Sequence, residues 1–186
     1  MKTVQRYAVI ITAILFAGAI LFTGCPQKID GGPSGGAQSG PDPNLRIEGG
    51  VLKGWNETPP TVLNVPAGVT EIATNAFKDC TSLTSVNLPA SLKTLEYCVF
   101  FGCTEINGTV VLPANLETIG DGAFYLCSNV DGFDFSKCNE LTSIGGRAFA
   151  DCTKIKEVRL PEKLTNIAGD AFSGCTELAT ITVASA

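Results

Sequence analysis

From Val69 onward one frame of apolar residues repeats down the chain. The frame restarts at Leu92, Leu116, Leu141 and Leu164, at spacings of 23, 24, 25 and 23 residues. Ile72 recurs as Leu95, Ile119, Ile144 and Ile167, and Phe77 recurs as Phe100, Phe124, Phe149 and Phe172. Cys80 recurs as Cys103, Cys127, Cys152 and Cys175, and Leu83 as Ile106, Val130, Ile155 and Leu178. A unit of this length cannot bury its apolar side alone, whereas stacked copies share one core. Within the unit, Val86 and Leu88 alternate with Ser85 and Asn87, the period of a half-buried strand. Pro89 lacks an N–H and ends the pairing. The expectation is an α/β solenoid of five stacked coils. Each strand lies beside its copy in a parallel sheet, and the leg around Ala76, Phe77 and Cys80 returns as a short helix or 3-10 turn.

The N-terminus reads differently. Lys2 and Arg6 precede an uncharged apolar or small run from Ala8 to Gly24, and Cys25 follows at once. A basic stretch, an apolar stretch and a small residue before the cut make a signal peptide over 1–24. The Leu21–Cys25 segment resembles the lipobox of bacterial lipoproteins, in which cleavage leaves an acylated Cys at the new N-terminus. Phe22 stands where the common pattern has Leu. Residues 25–45 are rich in Gly, Pro, Ser and Asp and cannot bury enough apolar surface to fold. Such a tether reaches roughly 25 Å. Loss of Lys2 and Arg6 takes the net charge from -5 to -7.

The repeat, L-x-x-I-x-x-x-A-F-x-x-C-x-x-L-x-x-V-x-L-P, resembles the BspA-like, spirochaete-type class of leucine-rich repeats. The resemblance covers Val69–Val183 within the repeat domain 69–186, and residues 46–68 look like the cap that precedes such arrays. It implies an exported, lipid-anchored protein that binds other proteins, the matrix of a host or other cells among them. The outer membrane or cell surface is the expected location. A structural or assembly lipoprotein facing the periplasm is the alternative. Two units depart from the frame. The second has Val99 for Ala and an insertion before Val110. The third ends in Phe135-Ser136 and runs on through Lys137, Cys138 and Asn139.

Composition narrows the chemistry. Eighteen acidic against 13 basic residues offer no basic face for nucleic acid. The chain has no His, which removes the commonest general base and neutral metal ligand. No catalytic residues, metal ligands or cofactors are therefore assigned. The frame cysteines are expected as small buried thiols. Cys98 and Cys138 lie off the frame, and the counterparts of Cys98 are Asn75, Gly122, Arg147 and Asp170, so both thiols are expected to be more exposed. The candidate binding surface is the row of outward strand positions, Asn87, Val111, Asp134, Arg159 and Thr182. With no polar capping repeat after Val183, the last coil is expected to fray or to self-associate. Mass spectrometry of the mature N-terminus is expected to show cleavage before Cys25 and acylation there. An intact Met1 or an unmodified Cys25 would contradict this reading.

Overall fold

The computed structural model describes residues 42–57 and 59–184, so Cys25, the signal sequence and most of the tether lie outside the described residues. The array opens with the antiparallel pair β1 (Leu45–Glu48) and β2 (Val51–Trp55). Gly49 and Gly50 between them both have positive φ, which suits the tight turn of a two-residue hairpin. Short strands then follow in order: β3 (Val62–Asn64), β4 (Glu71–Ile72), β5 (Ser85–Asn87), β6 (Thr94–Leu95), β7 (Gly108–Val111), β8 (Thr118–Ile119) and β9 (Val130–Asp134). They continue as β10 (Ser143–Ile144), β11 (Glu157–Leu160), β12 (Asn166–Ile167) and β13 (Thr180–Val183). β2 and β3 occupy the same two sheet positions as the strand pair of each later coil. The residues expected to form only a cap therefore make a turn of their own, giving about six turns rather than five.

The continuous sheet runs where no strand was expected. It joins β1, β2, β4, β6, β8, β10 and β12, and carries Ile72, Leu95, Ile119, Ile144 and Ile167 in register. The sheet expected through the copies of Val86 is present but broken into three parallel pairs, β3–β5, β7–β9 and β11–β13. The breaks fall where coil length changes. One extra residue at Asn107–Gly108 interrupts the first joint, and a register shift follows Gly108. The longer third coil, extended after Phe135, interrupts the second.

The return legs are turns, and no helix occurs among the described residues. Two positions per coil have left-handed backbone, four residues apart. The first position is Asn75, Cys98, Gly122, Arg147 and Asp170, and the second is Asp79, Gly102, Leu126, Asp151 and Gly174. A right-handed helix cannot pass through such residues. The hydrogen bonds show what replaces it. Ala76, Lys78 and Cys80 donate N–H to the carbonyl three residues back, whereas Asn75, Phe77 and Asp79 donate to Tyr97, Val99 and Phe101 of the next coil, at 2.6–2.9 Å. The α/β label and the helical legs expected from sequence therefore do not hold. The fold is a β-solenoid.

Inside, Phe77, Phe100, Phe124, Phe149 and Phe172 stack at ring separations of 5.2–5.7 Å. Phe133 and Phe135 of the third coil turn inward onto Phe149. Four frame thiols donate to a Phe carbonyl of the preceding coil: Cys103 to Phe77, Cys127 to Phe100, Cys152 to Phe124 and Cys175 to Phe149, at 3.0–3.2 Å. Cys80 is buried like Cys103, Cys127 and Cys152. Burial pushes the Cys103 thiol up to about 12 and that of Cys127 well above its ordinary value.

The off-frame cysteines are the opposite of what was expected: Cys98 is 5% and Cys138 1% exposed. What the counterparts of Cys98 share is left-handed backbone, not exposure. Its sulfur fits beside Gly122, where a Cβ would lie only 3.0 Å away. Cys138 turns under the extension toward the Pro113 carbonyl, 3.5 Å off. Native-state alkylation is accordingly expected to modify half-buried Cys175 before Cys98, Cys103, Cys127, Cys138 or Cys152. Faster labelling of Cys98 or Cys138 would contradict this packing. Phe149→Ala removes the ring that four others touch, and urea unfolding is expected to show a loss of roughly 3–5 kcal/mol. A loss under about 1 kcal/mol, an ordinary surface value, would mean that this ring is not central to the core.

Candidate binding cleft

Strand alternation places the candidate surface outward. Val86, Val110, Phe133 and Val158 are buried, while Asn87, Val111, Arg159 and Thr182 are exposed and Asp134 is half-buried. The structure divides this row. Asn87 donates its side-chain amide to Asn64, 2.7 Å away, and belongs to a short polar ladder. Val111 is a solitary exposed apolar residue, 45% accessible, paired in register with Asp134. Asp134, Arg159 and Thr182 come together, because they line one cleft of about 810 Å³. Arg159 and Thr182 are register partners across β11 and β13, as are Glu157 and Thr180.

The cleft exists because coil three is long. Beyond Phe135 the chain swings out through Ser136 and Lys137 and returns at Cys138, whose N–H donates to the Phe135 carbonyl at 2.9 Å. Phe135 and Cys138 are buried, so the extension is pinned at both ends. Ser136 and Asn139 of the extension, Glu162 and Lys163 of the next coil, and the apolar Phe135, Leu160 and Pro161 all line it. β9 and β11 are not paired here, and the cleft opens over that gap.

Two of the charges are already engaged. Lys163 bonds both carboxylate oxygens of Glu140, at 2.8 and 3.0 Å. Asp134 accepts the Ser136 N–H at 2.8 Å. That bond launches the extension, and the Ser136 hydroxyl, seconded by this N–H, holds the Asp134 carboxyl below its ordinary value. Glu157, Arg159 and Glu162 form no ion pair or side-chain hydrogen bond among the described residues. No three His, Cys, Asp or Glu side chains converge as metal ligands among the described residues.

Ser136 and Asn139 stood out from sequence only as departures from the frame, not as site residues, and Glu162 and Lys163 were not singled out. The signal that pointed to them was the longer spacing of the third repeat, which marks an insertion without saying which way it folds.

Residues 55–179 match the family model described as BspA type leucine rich repeat region, in six copies. Comparison with curated proteins gives no match. A T. pallidum leucine-rich-repeat protein has a similar structure, with 30% identity and a TM-score of 0.65 over 70% of this chain and 62% of that one. A leucine-rich cell surface protein of Faecalibacterium prausnitzii shares the fold at 22% identity and a TM-score of 0.50, over 76% of this chain and 55% of that one. The pneumococcal vaccine antigen PcpA shares it at 21% and 0.54, over 67% and 29%. The chain thus spans less than two thirds of the length of each.

Since Asp134 holds a turn, its role can be checked apart from any ligand. A carboxyl depressed by folding stabilises the folded state above its unfolded value, and the contribution fades as pH falls through the folded value. An NMR titration is expected to place Asp134 below an ordinary aspartate. Asp134→Ala is expected to speed amide exchange at Ser136 through Asn139. An ordinary titration with unchanged exchange would show that the bond does not anchor the extension.

Proposed function

Because the chain belongs to the BspA-type leucine-rich-repeat family, we propose that it is an exported, lipid-anchored scaffold that binds another protein at the cell surface. Acyl chains on Cys25 hold it at the membrane, and the tether lets the solenoid present its strand face. It has no active site of its own. Adhesion to host matrix or to other cells is the role that this arrangement serves.

One observation carries the reading: the third-coil extension makes a cleft in which Glu157, Arg159 and Glu162 stand without partners among the described residues, above an apolar lining. Apolar lining with a few placed polar groups is the make-up of a recognition site. The rigid stack behind it keeps those groups in place without a ligand, which limits the ordering cost of binding.

Surface plasmon resonance with the purified domain over immobilised extracellular-matrix proteins tests this. Arg159→Glu is expected to weaken any bound matrix protein by about thirtyfold or more, the range for a buried charge partner, with an unchanged melting temperature. Full binding by that variant would move the site off this face. Protease treatment of intact cells tests the location: digestion of the domain is expected, and protection would instead favour a periplasmic assembly role.

A further inference from the structure

We infer that the occupant of the cleft is an extended protein segment with basic residues flanking an acidic one. This rests on the proposal that the cleft is the binding site. The free charges follow one another along the chain as Glu157, Arg159 and Glu162, a carboxylate, a guanidinium and a carboxylate. Val158 and Leu160 face inward and are buried, so Glu157 and Arg159 project from one side of β11, and Glu162, beyond the buried Pro161, lines the same cleft. A segment laid along the cleft meets the three in chain order. Its complement is basic, acidic, basic.

The surroundings add to the basic bias. Lys163 is neutralised by Glu140, so it does not offset Glu157 and Glu162. Asp134 is held by Ser136 and faces the charge of Lys137, so it leaves the balance to Glu157, Arg159 and Glu162. On β13, Thr182 opposite Arg159 and Thr180 opposite Glu157 offer hydroxyls able to bond a peptide backbone. An anionic polymer would meet two unpaired carboxylates for each cation, which opposes its entry.

Two fluorescein-labelled peptides of equal length test the assignment by fluorescence polarisation. One carries Lys-Thr-Glu-Thr-Thr-Lys and the other its charge-inverted form, Glu-Thr-Lys-Thr-Thr-Glu. The first is expected to bind the full-length protein about tenfold more tightly than the second, a typical gain from matched against like charges. The double variant Glu157→Gln with Glu162→Gln is expected to abolish that preference. The pair Glu48→Gln with Glu105→Gln, exposed residues outside the cleft, changes net charge equally and is expected to keep it. Equal or tighter binding of the inverted peptide that Arg159→Glu still weakens would overturn the charge assignment and leave the cleft as the site. Peptide binding that no cleft variant alters would overturn both. Failure of the first peptide to bind would overturn the assignment of this segment.

Discussion

Backbone hydrogen bonds between successive coils set everything else in this molecule. Each turn reaches its neighbours from two sides. On one side the two-residue strands pair in a continuous parallel sheet from β2 to β12. On the other, alternate N–H groups of the return leg donate to carbonyls of the next coil, as Cys98, Phe100 and Gly102 donate to Asp121, Ala123 and Tyr125. A buried backbone group left unpaired costs about as much as a lost hydrogen bond, so a coil cannot slip against its neighbour cheaply. The register fixed in this way places like residue over like.

That superposition explains the composition of the core. Phe rings one coil apart stack, and each such pair is worth about 0.5–1.5 kcal/mol beyond the area it buries. The frame cysteine fits because a thiol is small, tolerates burial and gives a weak donor to a carbonyl that already accepts one N–H. The Phe77 carbonyl accepts both the Cys80 N–H and the Cys103 thiol. The left-handed positions are the other side of this arrangement. They cost about 1–2 kcal/mol wherever a residue with a Cβ adopts them. Asn75, Gly122 and Asp170 suit them well, while Cys98, Leu126 and Arg147 are held there by the stack.

The periodic apolar columns made the solenoid and its buried residues legible, and strand alternation correctly set Asn87, Val111 and Arg159 facing outward. The return leg was misread because Ala-Phe followed by Cys has helical spacing and nothing local forbids a helix. The left-handed positions that forbid one hold residues as unlike as Asn, Cys, Gly and Arg, so no single residue type announces them. Cys98 was misplaced for the same reason. The first turn was missed because Val51–Val65 lacks the Phe and Cys columns while keeping both strands. The cleft was half visible. Asp134 and Arg159 were in view, but the fold of Ser136–Asn139 depends on Phe135 and Cys138 finding core space, which is a tertiary matter. The cleft thus sits where the repeat is least regular, since an insertion is what turns a uniform face into a cleft.

If stacking rather than local helix formation orders the return legs, protection of their amides must depend on the next coil. Site-resolved hydrogen exchange on the monomeric protein measures this directly. The N–H groups of Cys98, Phe100, Gly102, Gly122, Phe124 and Leu126, bonded to the following coil, are expected to exchange slowly. Those of Asp170, Phe172 and Gly174, which have no following coil among the described residues, are expected to exchange far faster. Equal protection of the two sets would show that the legs are held by bonds within each coil, and would contradict the account.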